Sequence, residues 1–204
     1  MTEPRVYWDE VYGTKADTEI SWYQLHPATS LRLIRAAAPD PTTGIIDVGC
    51  GTSTLVDELL AAGYRDLAAL DVSAAAIDRA RQRLGPAGAG VEWIVADITR
   101  WQPRRQWGVW HDRAVFHFLT EPTAQDAYIR NLEKALAPAA AAIIATFALD
   151  GPEKCSGLPV QRYSAATLAE RLGPGFRLVS ETPERHTTPR GAVQSFMYAV
   201  FERR

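Results

Sequence analysis

The chain has 204 residues, enough for one domain with a sizeable single core. Its 22 Lys and Arg against 24 Asp and Glu leave a formal net charge of −2, so no basic field is present to recruit nucleic acid or an anionic membrane. Two cysteines, Cys50 and Cys155, neither in a CxxC nor beside paired histidines, argue against a structural zinc, and no apolar run reaches the length of a membrane span.

The first residues, Met-Thr-Glu-Pro-Arg, lack the apolar stretch of a secretory signal, and the expected compartment is the cytoplasm. Residues 6–12 are expected to be helical, with Val6, Trp8, Val11 and Tyr12 near one face; a second helix over 28–38 starts after Pro27 and stops at Pro39. Residues 1–40 then make an N-terminal helical lid on a core of residues 41–204, the whole forming one domain. From Gly44 onward strand and helix alternate, the signature of a parallel βαβ sheet. Strands are expected at 45–48, 67–71, 91–95, 109–115 and 141–147, and helices at 54–62, 73–84 and 123–136, with Ser73 and Thr123 as N-caps. A further helix over 164–171 is capped by Ser164, and residues 176–181 and 193–201 alternate apolar and polar as a terminal antiparallel hairpin does. After the fifth strand, residues 151–162 hold too many turn formers for regular structure and are expected to be a loop lining the substrate, with Cys155 exposed. The arginines of 79–83 and Arg104-Arg105 read as solvated faces, and His186 as a surface residue.

The stretch from Ile45 to Leu55, Ile-Ile-Asp-Val-Gly-Cys-Gly-Thr-Ser-Thr-Leu, carries the most chemistry. An apolar strand ends at Asp47, turns through Gly49 and Gly51, and feeds a helix; in a doubly wound sheet this turn is where a nucleotide-like ligand meets bare backbone. The glycines are expected to take φ > 0 and to clear the Cβ atoms that would block such a ligand, with Cys50 a small packed residue between them. The next two strands also end on carboxylates, Asp71 and Asp97. The third glycine of a dinucleotide fingerprint is replaced by Thr54, which argues against a nicotinamide oxidoreductase.

Three strands closing on Asp, the first followed by Gly-x-Gly, resemble the S-adenosylmethionine (SAM) site of class I methyltransferases. That resemblance implies a Rossmann-like α/β fold: a seven-stranded, mostly parallel sheet with helices on both faces and a C-terminal antiparallel hairpin. It implies that Asp47 orders the turn or orients the methionine amino group, and that Asp71 accepts from the ribose hydroxyls. Val72 packs on the adenine, Asp97 accepts from its exocyclic amine, and the N–H of Ile98 faces the ring. The N-terminal Tyr7-Trp8-Asp9-Glu10-Val11-Tyr12 and Glu19-Ile20-Ser21-Trp22-Tyr23, with Gly49-Cys50-Gly51-Thr52-Ser53, resemble one branch of that family. This branch contains the lysine methyltransferases of citrate synthase and elongation factor 1A, together with bacterial relatives. By it, Trp8, Tyr12 and Trp22 cover the methionine end, where aromatic faces suit a sulfonium, and Arg113 lies near the cofactor. The branch carries Asp where this chain has His117, and Gly-Thr where it has Ala114-Val115. A carboxylate to steer a substrate lysine is therefore missing.

Methyl transfer from a sulfonium asks chiefly for collinear reactants and a dry site, with a general base only when the acceptor arrives protonated. His111 and His117 are the candidate bases, expected to flank the acceptor pocket. The sequence thus reads as a SAM-dependent methyltransferase acting on a small-molecule O, N or S acceptor, with no metal, no nucleic-acid partner and no membrane partner. Protein-lysine methylation and SAM binding without turnover stand as the alternatives.

Overall fold

The computed structural model describes residues 3–204, so the first two residues of the expected lid lie outside the described residues. Ile45, Ile46 and Val48 of β1 (Ile45–Val48) are all fully buried, as a strand covered on both faces requires. It pairs in parallel with β2 (Leu67–Asp71) on one side and β4 (Trp107–Arg113) on the other. Beyond them lie β3 (Glu92–Val95), β5 (Leu136–Phe147), β8 (Phe176–Thr187) and β9 (Val193–Arg203), giving the order β3-β2-β1-β4-β5-β9-β8. β9 runs antiparallel to both β5 and β8.

Alternation along each strand divides the core into two layers. Ile45, Leu67, Ala69, Val109 and Ile143 face α2 (Ala28–Ala37), α3 (Leu55–Ala61) and α4 (Ala74–Leu84) through Ile34, Leu59 and Ile77. Ile46, Val48, Leu70, Trp110 and Ile144 face α5 (Pro122–Ala135) and α6 (Ala165–Leu172) through Tyr128, Leu132 and Leu168. The strand order reverses between β1 and β4, and a sheet of this type opens a crevice at the carboxyl ends there. Helix α1 (Pro4–Thr14) packs over that crevice, against α4. No helix among the described residues is long and apolar enough to cross a membrane.

Several boundaries differ from the sequence expectation, each for a local reason. β4 stops at Arg113 rather than 115 because Ala114 turns to φ 76 and a 3-10 turn, Phe116–Phe118, follows. Helix α5 starts with Pro122, whose missing N–H suits the first helical position, so Thr123 is not its N-cap. Ser73 and Ser164 do cap α4 and α6, accepting from the N–H of Ala76 and Thr167. β5 begins at Leu136, directly after α5 and five residues before the expected start, with Ala139 at φ 60. The turn-rich segment 151–162 is not irregular: β6 (Lys154–Cys155) and β7 (Leu158–Pro159) pair across Ser156 and Gly157, both at positive φ as a two-residue hairpin turn demands. Cys155 in this hairpin is buried, and so is His186, whose Nε2 bonds the carbonyl of Ser21.

Candidate functional site

The turn after β1 is built from main chain. The N–H groups of Gly49 and Cys50 both donate to the carbonyl of Leu70, at 2.7 and 3.0 Å, locking the turn to β2. Gly49 and Gly51 take φ 69 and 52, as expected. The atoms they make room for belong to the protein, however. A Cβ on Gly49 would overlap the side chain of Val115, and one on Gly51 would overlap the hydroxyl of Tyr12.

Asp71 ends β2 with both carboxylate oxygens in use: Oδ2 accepts from the N–H of Gly51 and Oδ1 from that of Ser73, each at 2.8 Å. Burial pushes its pKa up to about 6 against these stabilising bonds, with Asp47 nearby adding to the rise. Each oxygen keeps a further lone pair for a hydroxyl. Asp97 accepts from the N–H and hydroxyl of Thr99, at 2.8 and 2.7 Å. Arg83 ties the turn from outside, donating to the carbonyls of Thr52 and Ser53 and to Asp57, while Arg79 donates to Lys15. These two arginines are therefore not a free solvated face.

Helix α1 is fastened at two points. Asp9 accepts from the hydroxyl of Ser73 at 2.7 Å and the N–H of Ala75 at 3.2 Å, and the Tyr7 hydroxyl donates to the carbonyl of Ser156 at the tip of the β6–β7 hairpin. Between these ties Trp8 is packed against Tyr7, Trp22 and Phe118 at centroid distances of 5.3, 5.7 and 5.2 Å.

Roofed by these rings is a cavity of about 710 Å³. Trp8, Tyr12, Trp22, Asp47, Gly49, Asp71, Val72, Asp97, Ile98 and Arg113, all singled out in the sequence, line it together. Gly51 stands behind them, acting through its N–H on Asp71. The lining carboxylates, Asp47, Asp71 and Asp97, all belong to strand ends; Tyr7, Phe118, Leu158 and Pro159 are among the other lining residues.

The two histidines depart from the expected role. His111 lines the cavity, yet both its ring nitrogens are engaged: Nδ1 with Asp47 Oδ1 at 2.7 Å and Nε2 with Ser30 Oγ at 2.9 Å. His117 does not flank the pocket. It is enclosed between Phe118 and Phe147, Nδ1 accepts from the N–H of Phe147, and burial with the nearby Arg113 charge lowers its pKa to about 3. Neither is free to take a proton from a substrate.

Sequence reasoning missed Asp112, whose oxygens accept from the N–H groups of Val115 and Phe116 and from the Tyr128 hydroxyl, at 2.8, 3.1 and 2.6 Å. It holds the turn that carries Val115 into the cavity wall. An aspartate one residue short of a strand end, ahead of a non-β-branched pair, was the available signal. Ser30, Tyr198 and Asp9 were also missed, because their partners lie far away in the sequence. Among the described residues no cluster of three or more His, Cys, Asp or Glu could hold a metal ion.

This strand order, with an Asp-x-Gly-x-Gly turn at its switch point and carboxylates on the next two strand ends, is a Rossmann-like α/β arrangement whose ligand crevice opens at that point. Residues 45–139 match the family model described as a methyltransferase domain. Among known proteins, malonyl-[acyl-carrier protein] O-methyltransferase of Anoxybacillus flavithermus is 29% identical over 161 residues, covering 76% of this chain and 59% of that one. The eEF1A lysine and N-terminal methyltransferase of Mus musculus is 26% identical over 96 residues, 46% of this chain and 13% of that protein. The chain therefore spans less than two thirds of the length of either. The fold is shared with the N-methyltransferase NodS of Bradyrhizobium japonicum in complex with S-adenosyl-l-homocysteine, with a TM-score of 0.73 at 16% identity, covering 96% of this chain and 98% of that one.

Proposed function

We propose that this chain transfers the methyl group of SAM to an O, N or S atom of a small molecule, working as one cytoplasmic domain with residues 1–40 as its lid. The observation that carries this reading is the cavity, which joins three strand-end carboxylates to an aromatic roof in one continuous space. The donor supplies an already activated methyl group on a sulfonium. Its fit to these residues rests on chemistry of the donor set. Asp47 Oδ2 is buried with no partner among the described residues, as a carboxylate awaiting an ammonium would be, and Asp71 has lone pairs left for a ribose diol.

In this reading Asp47 takes the amino group, Asp71 the ribose, Asp97 and the Ile98 N–H the adenine edge, and Val72 the adenine face. The rings of Trp8, Tyr12 and Trp22 exclude water and favour the sulfonium. Arg113, expected near the cofactor, lines the same space. The protein contributes alignment and dryness, and the occupied nitrogens of His111 favour an acceptor that needs no histidine base.

A small-molecule acceptor is favoured over a protein lysine because, among the described residues, no lining carboxylate lies beyond the strand-end three. The malonyl-[acyl-carrier protein] relative, named for O-methylation, is consistent with a small acyl acceptor; the eEF1A relative keeps lysine in view. Thermal-shift measurements with SAM, S-adenosylhomocysteine (SAH) and NAD test the donor: stabilisation by NAD alone overturns the reading. A metabolite-pool screen for gain of one methyl group tests the acceptor. Label passing from SAM to protein and not to metabolites would replace it with protein methylation. Tight SAH binding with no turnover across a broad panel would leave a binding protein.

A further inference from the structure

A chain of side-chain hydrogen bonds crosses the α2-facing side of the sheet, beneath the cavity. Period-2 alternation puts His111 and Arg113 on the same face of β4. The register sets Asp47 beside His111, and places Tyr198 of β9 in the row of Arg113, one strand beyond Ala145. Ser30 from α2 closes the gap. Arg113 Nε donates to the Tyr198 hydroxyl at 3.0 Å; that hydroxyl lies 3.4 Å from Ser30 Oγ, Ser30 Oγ 2.9 Å from His111 Nε2, and His111 Nδ1 2.7 Å from Asp47 Oδ1. Tyr198, Ser30, His111 and Asp47 are 0, 1, 2 and 4% exposed.

The direction of this chain is forced. A guanidinium has no acceptor, so Arg113 must donate, and the Tyr198 oxygen receives. The Tyr198 hydrogen then has Ser30 as its one acceptor among the described residues, the Ser30 hydrogen goes to Nε2, and the imidazole proton is left on Nδ1, facing Asp47. Reversing the chain would strand a buried Tyr198 hydrogen with nothing to accept it, which is unfavourable at such depth.

We propose that Tyr198, Ser30 and His111 are positioning residues. They form a one-way relay that holds Asp47 as a carboxylate with Oδ1 occupied, and so presents Oδ2 to the amino group of the methyl donor. The proposal rests on the donor reading above. It adds that SAM affinity depends on Tyr198, a residue that does not line the cavity, and that Arg113 is wired to Asp47 through that residue. The relay also explains why an imidazole lining the cavity does no acid–base work.

Two measurements test it. Nitrogen-15 NMR of the histidines in the wild-type protein should show His111 as the neutral Nδ1–H tautomer; an Nε2–H tautomer or an imidazolium at neutral pH overturns the direction of the relay. Calorimetric SAH titration of Tyr198→Phe, with folding checked by thermal melt, should show affinity weakened about 3- to 10-fold, as loss of one hydrogen bond in a chain predicts. The KM for SAM should rise by the same factor with kcat held. Tyr198→Phe should add little further weakening when Ser30→Ala is already present, because both break the same chain. A purely structural tyrosine would lower the melting temperature and leave SAH affinity unchanged, and that result overturns the relay. Absence of SAH binding by the wild type with the Nδ1–H tautomer intact overturns the donor reading instead.

Discussion

Gly49 and Val115 share one small volume: with Gly49 at φ 69, a β-carbon there would overlap Val115 Cγ2. The turn after β1 and the turn after β4 therefore interlock, and the second is held by Asp112 through the N–H groups of Val115 and Phe116. Gly49→Ala must both strain a left-handed backbone and displace a wall of the cavity. Together these should lower unfolding free energy by about 2–5 kcal/mol, read by denaturant titration. Gly51→Ala meets instead the end of the Tyr12 ring, which can shift with α1, so a smaller stability loss with weakened SAH binding is expected.

Asp71 supplies a pH signature for donor binding. Its carboxyl, raised to about 6 by burial, is protonated below that pH, and a protonated oxygen gives up one of the acceptor positions intended for the ribose. SAH affinity in the wild type should hold above pH 6 and fall below it, by up to about tenfold per pH unit for a single proton. Asp71→Ala should weaken SAH binding by about 1.5–3 kcal/mol at pH 7.5 and abolish that acid limb. Calorimetry at a series of pH values reads both effects. A wild-type affinity flat from pH 8 to 5 would remove Asp71 from the ribose.

Two buried groups pull acid stability in opposite directions. His117 is kept neutral by burial, its pKa lowered from 6.5 to about 3, so its contribution is complete above pH 6.5 and is lost as the pH falls toward 3. Asp112 is raised from 3.8 to about 6 by burial, despite its bonds from Tyr128 and Val115; its contribution is present below 3.8 and is lost as the pH rises through 6. Between pH 4 and 6 each imposes a slope of up to about 1.4 kcal/mol per pH unit, of opposite sign. His117→Asn, whose amide oxygen can still accept from Phe147, should be less stable than wild type at pH 7. The deficit should narrow as the solution is acidified. Asp112→Asn should show its deficit narrow as the pH rises from 4 to 6. Chemical denaturation across that range measures both slopes.

The fold was legible because its signals are local. An apolar strand ending at Asp47, the helix caps at Ser73 and Ser164, and alternation over 193–201 each follow from a few neighbouring residues. The ring of cavity residues was legible for a related reason: strand ends of a parallel sheet gather at one edge whatever the rest of the chain does. What sequence could not show was partnership across distance. His111 and His117 look alike by composition. Only register and the placement of α2 decide that one faces Asp47 and Ser30 while the other is enclosed by phenylalanines. The glycines were read as clearance for a ligand, and the clash depends on Val115 in a turn 66 residues from Gly49 and on Tyr12 in α1, 39 residues from Gly51. The β6–β7 hairpin escaped because two-residue strands carry no periodicity; the Ser156-Gly157 pair was its only cue.

That hairpin offers the last prediction. Tyr7 on α1 donates to the carbonyl of Ser156, tying the roof to the tip of β6–β7, while Leu158 and Pro159 of the hairpin line the cavity. α1 itself stays fixed by Asp9 on the α4 N-terminus, so Tyr7→Phe should loosen the hairpin and leave the donor end in place. Amide exchange at Val160, whose N–H bonds the Glu153 carbonyl, should quicken by about 3- to 10-fold, the equivalent of one hydrogen bond in the closed state. SAH affinity should stay within about twofold of wild type, and the KM for a methyl acceptor should rise. If SAH affinity fell as much as acceptor affinity, the hairpin would have to be counted part of the donor site, and Tyr7 a support for both ends of the cavity.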